Sequence, residues 1–339
     1  MYKDNAAFEK QPTIHDVAKM ANVSVSTVSR VFNGKDRVSE ETRRKVQEAM
    51  AALNYVPSTI ATSMITGKTK VILVMVPDFE NSYYSMVLAG IEAKLHEDGY
   101  YSMVLSHNNF SSEAYRQIQA KFDKMIDGII SIPDWNLQFY KNWNKPCVII
   151  DRYLRGSDMN AILADNYQGT RLLTEELVQA GHKKIAVVSA KTWMTTISDR
   201  LEGYRAVLRE HGIPIRDEYI YLDSLLVSTG YQGFLKLMQL PNPPTAVVAA
   251  NNLICIGCIQ ACEELHLRIG EDISLVGYDD HELAQYFPPG ITVIKQPAYE
   301  MGVQAAINLL DQLSNGPREP ATQIMDVELI RRGSVKQLD

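Results

Sequence analysis

Residues 13–33, TIHDVAKMANVSVSTVSRVFN, constrain the chain more than any other stretch, because they encode two short capped helices joined by a tight turn. Thr13 and Asp16 have capping-box spacing, in which a hydroxyl and a carboxylate take up backbone N–H groups that a helix start leaves unpaired. A helix is therefore predicted from about Ile14, with Ile14, Val17, Ala18 and Ala21 forming a narrow apolar stripe. Asn22 and Val23 break the run. Ser24 then caps a second helix whose Val28, Val31 and Phe32 face inward and whose Ser26, Ser29 and Arg30 face out, until Asn33 and Gly34 end it. Helix pairs of this size also occur in ordinary helical cores, so pattern alone leaves packing and DNA reading both open. Three features favour DNA. The outer face of the second helix carries hydroxyls, an amide and a guanidinium but no carboxylate, which suits phosphates and base edges. A third helix, capped at Ser39 with Glu40 and Glu41 in its first turn, brings Val46, Ala49, Met50 and Leu53 to close a three-helix core. Residues 1–70 hold 11 Lys and Arg against 7 Asp and Glu, a balance of +4 in a chain of net charge −6, which leaves −10 for the remainder. A basic head on an acidic body is what a protein needs if only the head touches nucleic acid.

With 339 residues, 46% of them hydrophobic, the chain can build one small unit and one large one, the latter divisible in two. Residues 1–11 are polar and irregular, lack an apolar core of signal-peptide length, and read as a flexible tail. No apolar run approaches membrane-spanning length, so a cytoplasmic protein is expected. Cys147, Cys255, Cys258 and Cys262 are the four cysteines. The last three and His266 share one helical face, but spread over about 16 Å of helix, too far for one zinc ion with bonds near 2.3 Å. Small apolar core cysteines are favoured over a redox C-x-x-C, and neither a metal nor a cofactor is expected.

From Val71 the period changes to buried strands alternating with amphipathic helices. Strands are predicted at 71–76, 102–105, 128–132 and 147–150, with helices near 87–97 and 114–125; the pattern restarts with helices at 169–180 and 201–211 and strands at 185–189, 246–250 and 273–277. This predicts an α/β body of two doubly wound parallel-sheet subdomains, with a ligand cleft beyond the strand ends where the halves meet. Those ends are polar: Asp78, Asn81, Tyr83 and Tyr84; Asp151 and Arg152; Asn251 and Asn252; Tyr278, Asp279 and Asp280. A single aspartate after a strand is usually a turn cap, but four such ends together suit a hydroxyl-rich sugar.

The segments TIHDVAKMANVSVSTVSRVFNG and NYVPSTIATSMITGKT resemble the LacI/GalR family of lac and gal repressors, and PDFENSYYSMVLAGIE, IIDRYLRG, ADNYQGTRLLTEELVQAGHKKIAVV, DRLEGYRAVL, AVVAANNLICIG and ISLVGYDD extend the resemblance over most of the chain. It implies a small all-α helix-turn-helix head and a periplasmic-binding-protein-like core. The implied divisions are a tail at 1–11, a DNA-binding head at 12–56, a hinge helix and linker at 57–69, one core subdomain at 70–165 plus 297–324, and a second at 166–296 plus 325–339. Crossovers fall near Asp165, Gln296 and Met325. In the head, Val25, Ser26 and Arg30 match base readers, and Thr13, Ser24, Thr27, Ser29 and Asn33 match positions that hold phosphates. Helical pattern alone would bury Val25 with Val28 and Phe32, whereas the resemblance gives it an apolar contact with a base. In the hinge, Pro57 starts a short helix, and Ser58, Ala61 and Met64 are the residues expected at the minor groove. Met64 stands where the family usually has leucine, and Thr62 where it often has arginine. In the core, Tyr83 and Tyr84 match a ring-supplying loop, Asp151 and Arg200 match effector contacts, Asp279 ends a cleft strand, and Asn252 replaces the usual aspartate. Trp193, in the loop before Arg200, is placed to stack on a sugar.

The function implied is a homodimeric repressor of a carbohydrate-utilisation operon that reads a palindromic operator and is switched by a small sugar or sugar phosphate. Lac repressor's tetramerising heptads have no counterpart after the last strand, so dimers are expected. A nucleoside or other polar metabolite acting as co-repressor is the alternative. Two other classes fit parts of the sequence: an enzyme using Asp279 and Asp280 as acid and base, and a sugar-binding protein with no DNA function. Walker, G-x-G-x-x-G, H-E-x-x-H and G-x-S-x-G motifs are all missing, which weighs against catalysis.

Overall fold

The computed structural model describes residues 12–32, 38–55, 67–107, 110–133, 137–153, 158–191 and 194–338. The expectations for the 1–11 tail, the Phe32 side chain, Asn33, Gly34, the hinge from Pro57 through Ser58, Ala61, Thr62 and Met64, and Trp193 lie outside these residues. The chain divides into two compact units, residues 1–69 and 70–339.

The first unit holds α1 (Ile14–Met20), α2 (Val25–Phe32) and α3 (Glu40–Ala52). The Asp16 carboxylate accepts both the Thr13 backbone N–H, at 2.8 Å, and the Thr13 hydroxyl, at 2.7 Å, which fixes the start of α1. Asn22, in the left-handed region at φ 55°, turns the chain between α1 and α2, a conformation asparagine tolerates better than most residues. Ser39 caps α3 by accepting the Thr42 N–H. Val17, Val28 and Val46, one from each helix, form the centre of the core, with Ala18, Ala21, Val31 and Ala49 around them.

The second unit contains two six-stranded sheets. The first has strand order β11-β5-β4-β3-β1-β2, built from β1 (Val71–Val76), β2 (Tyr101–Ser106), β3 (Gly128–Ser131), β4 (Cys147–Ile150), β5 (Asn160–Ala164) and β11 (Thr322–Met325). The second has order β12-β10-β9-β8-β6-β7, from β6 (Ile185–Ala190), β7 (Ile220–Asp223), β8 (Ala246–Ala249), β9 (Ser274–Tyr278), β10 (Thr292–Lys295) and β12 (Glu328–Ile330). All pairings are parallel except β12 with β10. Central strands such as β6 and β8 are buried along their whole length because helices cover both faces, whereas at the edges of the first sheet β2 is mostly half-buried and β11 largely exposed. The chain passes between the sheets at Asp165, at Gln296 and between β11 and β12, so each sheet with its helices forms one lobe.

Helices α4 (Ser82–Glu97), α5 (Ser112–Phe122), α6 (Leu137–Asn142) and α12 (Ala298–Asn315) belong to the first lobe; α7 (Asn166–Gln179), α8 (Thr195–Glu210), α9 (Val227–Met238), α10 (Asn252–Glu264) and α11 (Glu282–Tyr286) belong to the second. The same device recurs in both. A Cβ on Gly90 of α4 would lie 2.0 Å from the Tyr299 carbonyl oxygen of α12, and one on Gly302 would lie 2.1 Å from the Val87 oxygen. In the second lobe, Gly230 of α9 and Gly257 of α10 meet carbonyl oxygens of the facing helix in the same way, each at 2.0 Å. Backbones that approach this closely need glycine at the crossing.

Several elements differ from their sequence-based bounds. Helix α4 starts at Ser82 rather than 87 and α7 at Asn166 rather than 169, because the polar strand-end residues Asn81 and Asp165 act as N-caps. Helix α8 starts at Thr195 rather than 201. Helix α10 ends at Glu264, and His266 follows it with φ 55°, so the predicted four-residue face does not form. Cys255, Cys258 and Cys262 are buried in the second lobe's core, where burial pushes the Cys255 and Cys262 thiols up to about 12. Strands β5, β7 and β10 to β12 and helices α6, α9, α11 and α12 were not predicted as separate elements. No helix among the described residues is long and apolar enough to cross a membrane.

Candidate functional site

Two sets of residues require an account. In the head, the Ser24 hydroxyl accepts the Thr27 N–H at 3.2 Å, and lies 2.8 Å from the hydroxyls of both Ser26 and Thr27, so the start of α2 is a cluster of hydroxyls. Thr13, Ser24, Ser26 and Arg30 are exposed; Thr27 and Ser29 are half-buried. Val25 falls between its two sequence readings, because it packs on the head's core yet is only half-buried, which leaves methyl surface outside. An exposed guanidinium and hydroxyls on one short helix can donate to phosphates and base edges.

The second set lies between the lobes, at the carboxyl ends of the strands. Asp151 follows β4 and Asp279 follows β9, at matching places in the two sheets, and both are buried in the left-handed region at φ 70° and 71°. A non-glycine residue held there is strained, and strain of this kind gathers at sites that bind. Tyr83 donates its hydroxyl to Asp151 Oδ1 at 3.2 Å, and Arg152 contacts Asp151 Oδ2 at 3.2 Å and donates to the Tyr84 hydroxyl at 2.8 Å. Burial, with the Asp151 and Asp279 carboxylates adding to it, raises the Tyr83 hydroxyl well above its ordinary value; burial pushes Tyr84 up to about 12 against the pull of Arg152. Both tyrosines therefore keep their hydroxyl hydrogens at neutral pH. They also correct a sequence expectation: they occupy the first turn of α4 rather than a loop, and are nearly fully buried.

Arg200, inside α8, is 5% exposed. Its Nε donates to Asn166 Oδ1 at 2.7 Å and its Nη1 to the Ala250 carbonyl oxygen at 2.6 Å, while the guanidinium lies 3.6 Å from the centre of the Tyr278 ring. Asn166 in turn donates to the Ala164 carbonyl oxygen at 3.0 Å, so a chain of hydrogen bonds runs from Arg200 to the end of β5 across the first crossover. Asp279 accepts Gln296 Nε2 at 2.5 Å. Burial raises its carboxyl pKa; Arg200 and that hydrogen bond oppose the rise. Gln296 Oε1 is buried with no hydrogen-bond partner among the described residues. Asn252 Nδ2 donates to Asn81 Oδ1 at 2.7 Å, joining the second lobe to the first.

Of the residues predicted for the effector, Tyr83, Asp151, Arg200 and Asp279 come together with Asn252, and Tyr84 backs them through Arg152. Asp78 does not join them; its carboxylate accepts the Glu80 and Asn81 N–H groups and serves the turn. Asp280 is held by Arg332 at 2.8 Å, so the acid–base pair with Asp279 does not form. Sequence reasoning missed Asn166 and Met301, whose Sδ lies 3.8 Å from the Tyr83 hydroxyl, and gave Gln296 no part in binding; all three carry ordinary side chains of helices or linkers. Among the described residues no group of three or more His, Cys, Asp or Glu is placed to hold a metal ion.

Residues 13–58 match the family model for bacterial regulatory proteins, lacI family, and residues 174–335 match that for a periplasmic binding protein-like domain. The transcriptional regulator RegA of Clostridium saccharobutylicum is 32% identical over 330 residues, covering 95% of this chain and 98% of that protein. The chain belongs to the LacI family. The ribose operon repressor of Haemophilus influenzae is 31% identical, covering 96% of this LacI-family chain and 99% of its relative. A lac repressor dimer bound to operator and the anti-inducer ONPF superposes with a TM-score of 0.85 at 28% identity, covering 96% of this chain and all of that one. This LacI-family protein is a DNA-binding transcriptional repressor, not an enzyme, and its two-sheet core is the periplasmic-binding-protein-like fold.

Proposed function

We propose that this repressor controls a carbohydrate-utilisation operon, binds a palindromic operator as a homodimer, and is switched by a small sugar-like effector in the cleft between its lobes. In this reading residues 12–56 read DNA, 57–69 form a hinge that brings Ser58, Ala61 and Met64 to the minor groove, and the two lobes, 70–165 plus 297–324 and 166–296 plus 325–339, hold the effector. The buried cluster at the cleft carries the effector half of the proposal. Asp151, Asp279 and the unpartnered Gln296 Oε1 are acceptors for hydroxyl hydrogens, and the remaining N–H groups of Arg200 are donors. A polyol satisfies both sets at once. Its differential affinity for the lobe arrangements need be only about 1 to 3 kcal/mol to change operator occupancy severalfold.

A thermal-shift screen of pentoses, hexoses, disaccharides, sugar phosphates and nucleosides against the full-length protein tests this directly. A sugar that raises Tm and changes operator binding supports it; a response to nucleosides alone replaces the sugar with a nucleoside. For the head, Arg30→Ala is expected to lower specific operator affinity by about 2 kcal/mol while effector binding stays the same. Gel-shift titration and calorimetry on the same preparation read the two effects, and equal loss of both would refute the division of labour.

A further inference from the structure

Direct hydrogen bonds join the two lobes, and the chemistry of one of these junctions is tightly specified. Asn252, the first residue of α10, donates Nδ2 to Oδ1 of Asn81, the N-cap of α4 in the other lobe, at 2.7 Å; Asn252 is 2% exposed and Asn81 8%. Neither amide is free to turn over. Asn81 Oδ1 also accepts the Tyr83 N–H at 3.0 Å, and Asn252 Oδ1 accepts the Leu253 N–H at 2.9 Å. Rotating either amide would set an NH2 group against a backbone N–H and cost its helix a capping interaction. The bridge therefore has one workable polarity, with residue 252 as donor and residue 81 as acceptor. A second junction, in which the Thr195 hydroxyl accepts the Tyr153 N–H at 3.0 Å, lies beside the first crossover, where Tyr153, Thr195, Asp165, Asn166 and Tyr167 line one cavity of about 600 Å³.

We propose that the Asn81–Asn252 hydrogen bond is a latch that sets how far the cleft closes before effector arrives, and that the amide nitrogen of residue 252 decides it. The proposal rests on reading the cleft as the effector site, and assigns that site its resting position. An aspartate at 252 has the same shape but no hydrogen to donate, and would press a charged oxygen against Asn81 Oδ1. Both groups are shielded from water while the lobes are together, so the loss is made good only when the lobes part and water reaches them. Thr195 and Tyr153 stay joined beside the crossover, which makes the opening a rotation. One buried hydrogen bond of this kind shifts the ratio of closed to open forms by about tenfold.

Small-angle X-ray scattering on the full-length protein without effector tests the latch, using Asn252→Asp, Asn81→Ser and the double variant. Serine at 81 keeps a cap for α4 but cannot span the cleft, so this variant carries the test should Asn252→Asp fail to fold by circular dichroism. Each single variant is expected to raise the radius of gyration by about 1 Å, and the double variant to raise it no further. An unchanged radius in folded variants overturns the latch, as does a double variant that opens beyond either single one, because the two residues would then act separately. The scattering needs no effector, so the two readings fail separately. Unopened variants of a protein that binds sugars remove the latch and leave the site, while opened variants of a protein that binds none of the screened small molecules do the reverse.

Discussion

Arg200→Ala is expected to abolish the effector response while the protein still binds its operator. The guanidinium does three things at once: it holds Asn166 at the first crossover, pairs with the Ala250 carbonyl at the end of β8, and stacks on Tyr278. Its remaining N–H groups are the donors proposed for the ligand. Alanine leaves the Asn166 and Ala250 oxygens buried without a donor, so stability should also fall, by about 2 to 4 kcal/mol. Arg200→Lys separates the two effects. Lysine keeps the charge but lacks the planar fork, so it should recover much of the stability and little of the response. Asn166→Ala provides a further control, since it breaks the chain from Arg200 to the Ala164 carbonyl without removing the ligand donors. Operator gel shifts with and without effector, alongside thermal melts, read all three variants. An Arg200→Ala protein that responds like the wild type would take Arg200 out of the switch.

Gly302→Val should destabilise the core by about 3 kcal/mol or more. A Cβ at this position meets the Val87 carbonyl oxygen at 2.1 Å and the Ile91 nitrogen at 2.9 Å, and both neighbours are backbone atoms of α4 that cannot rotate away. The two helices must separate, which strips packing from Met301, Ala305, Val87 and Ile91 in the first lobe's core. Gly302→Ala should show the same effect at smaller size, since its methyl needs less displacement. Urea unfolding followed by fluorescence measures both through the shift in midpoint. Wild-type stability for the valine variant would mean that α4 and α12 do not pack this closely in solution.

The periodic features of this chain were readable because they are local. The runs at Val71, Ile185 and Ala246 became central buried strands, and the change from helical to strand period marked the start of the two-sheet unit. The capping residues were readable too, although their consequences were drawn too narrowly. The sequence marks Asn81 as a polar strand end and Asp165 as a crossover, whereas both are N-caps, so α4 and α7 begin before their predicted bounds and Tyr83 and Tyr84 lie in the first turn of a helix rather than in a loop. Val25 shows the opposite limit. Helical spacing buries it and resemblance exposes it, and the packed head does a measure of both, because a three-helix core this small cannot enclose every apolar side chain at its edge.

By itself the sequence determined the capped helix pair of the head, the alternation of strands and helices, and the polar strand ends that line a cleft. These depend on residues a few positions apart, whose hydrogen bonds and faces follow from helix and strand geometry. Only the tertiary structure decided which polar groups meet: Asn252 with Asn81 from 171 residues away, and Tyr83 with Asp151 from 68. It also decided that Asp280 turns to Arg332 while Asp279 stays with Gln296. The first pair is chosen by how the two lobes are set against each other and the others by how strand ends far apart in sequence come together within one lobe, and no spacing along the chain carries that distance.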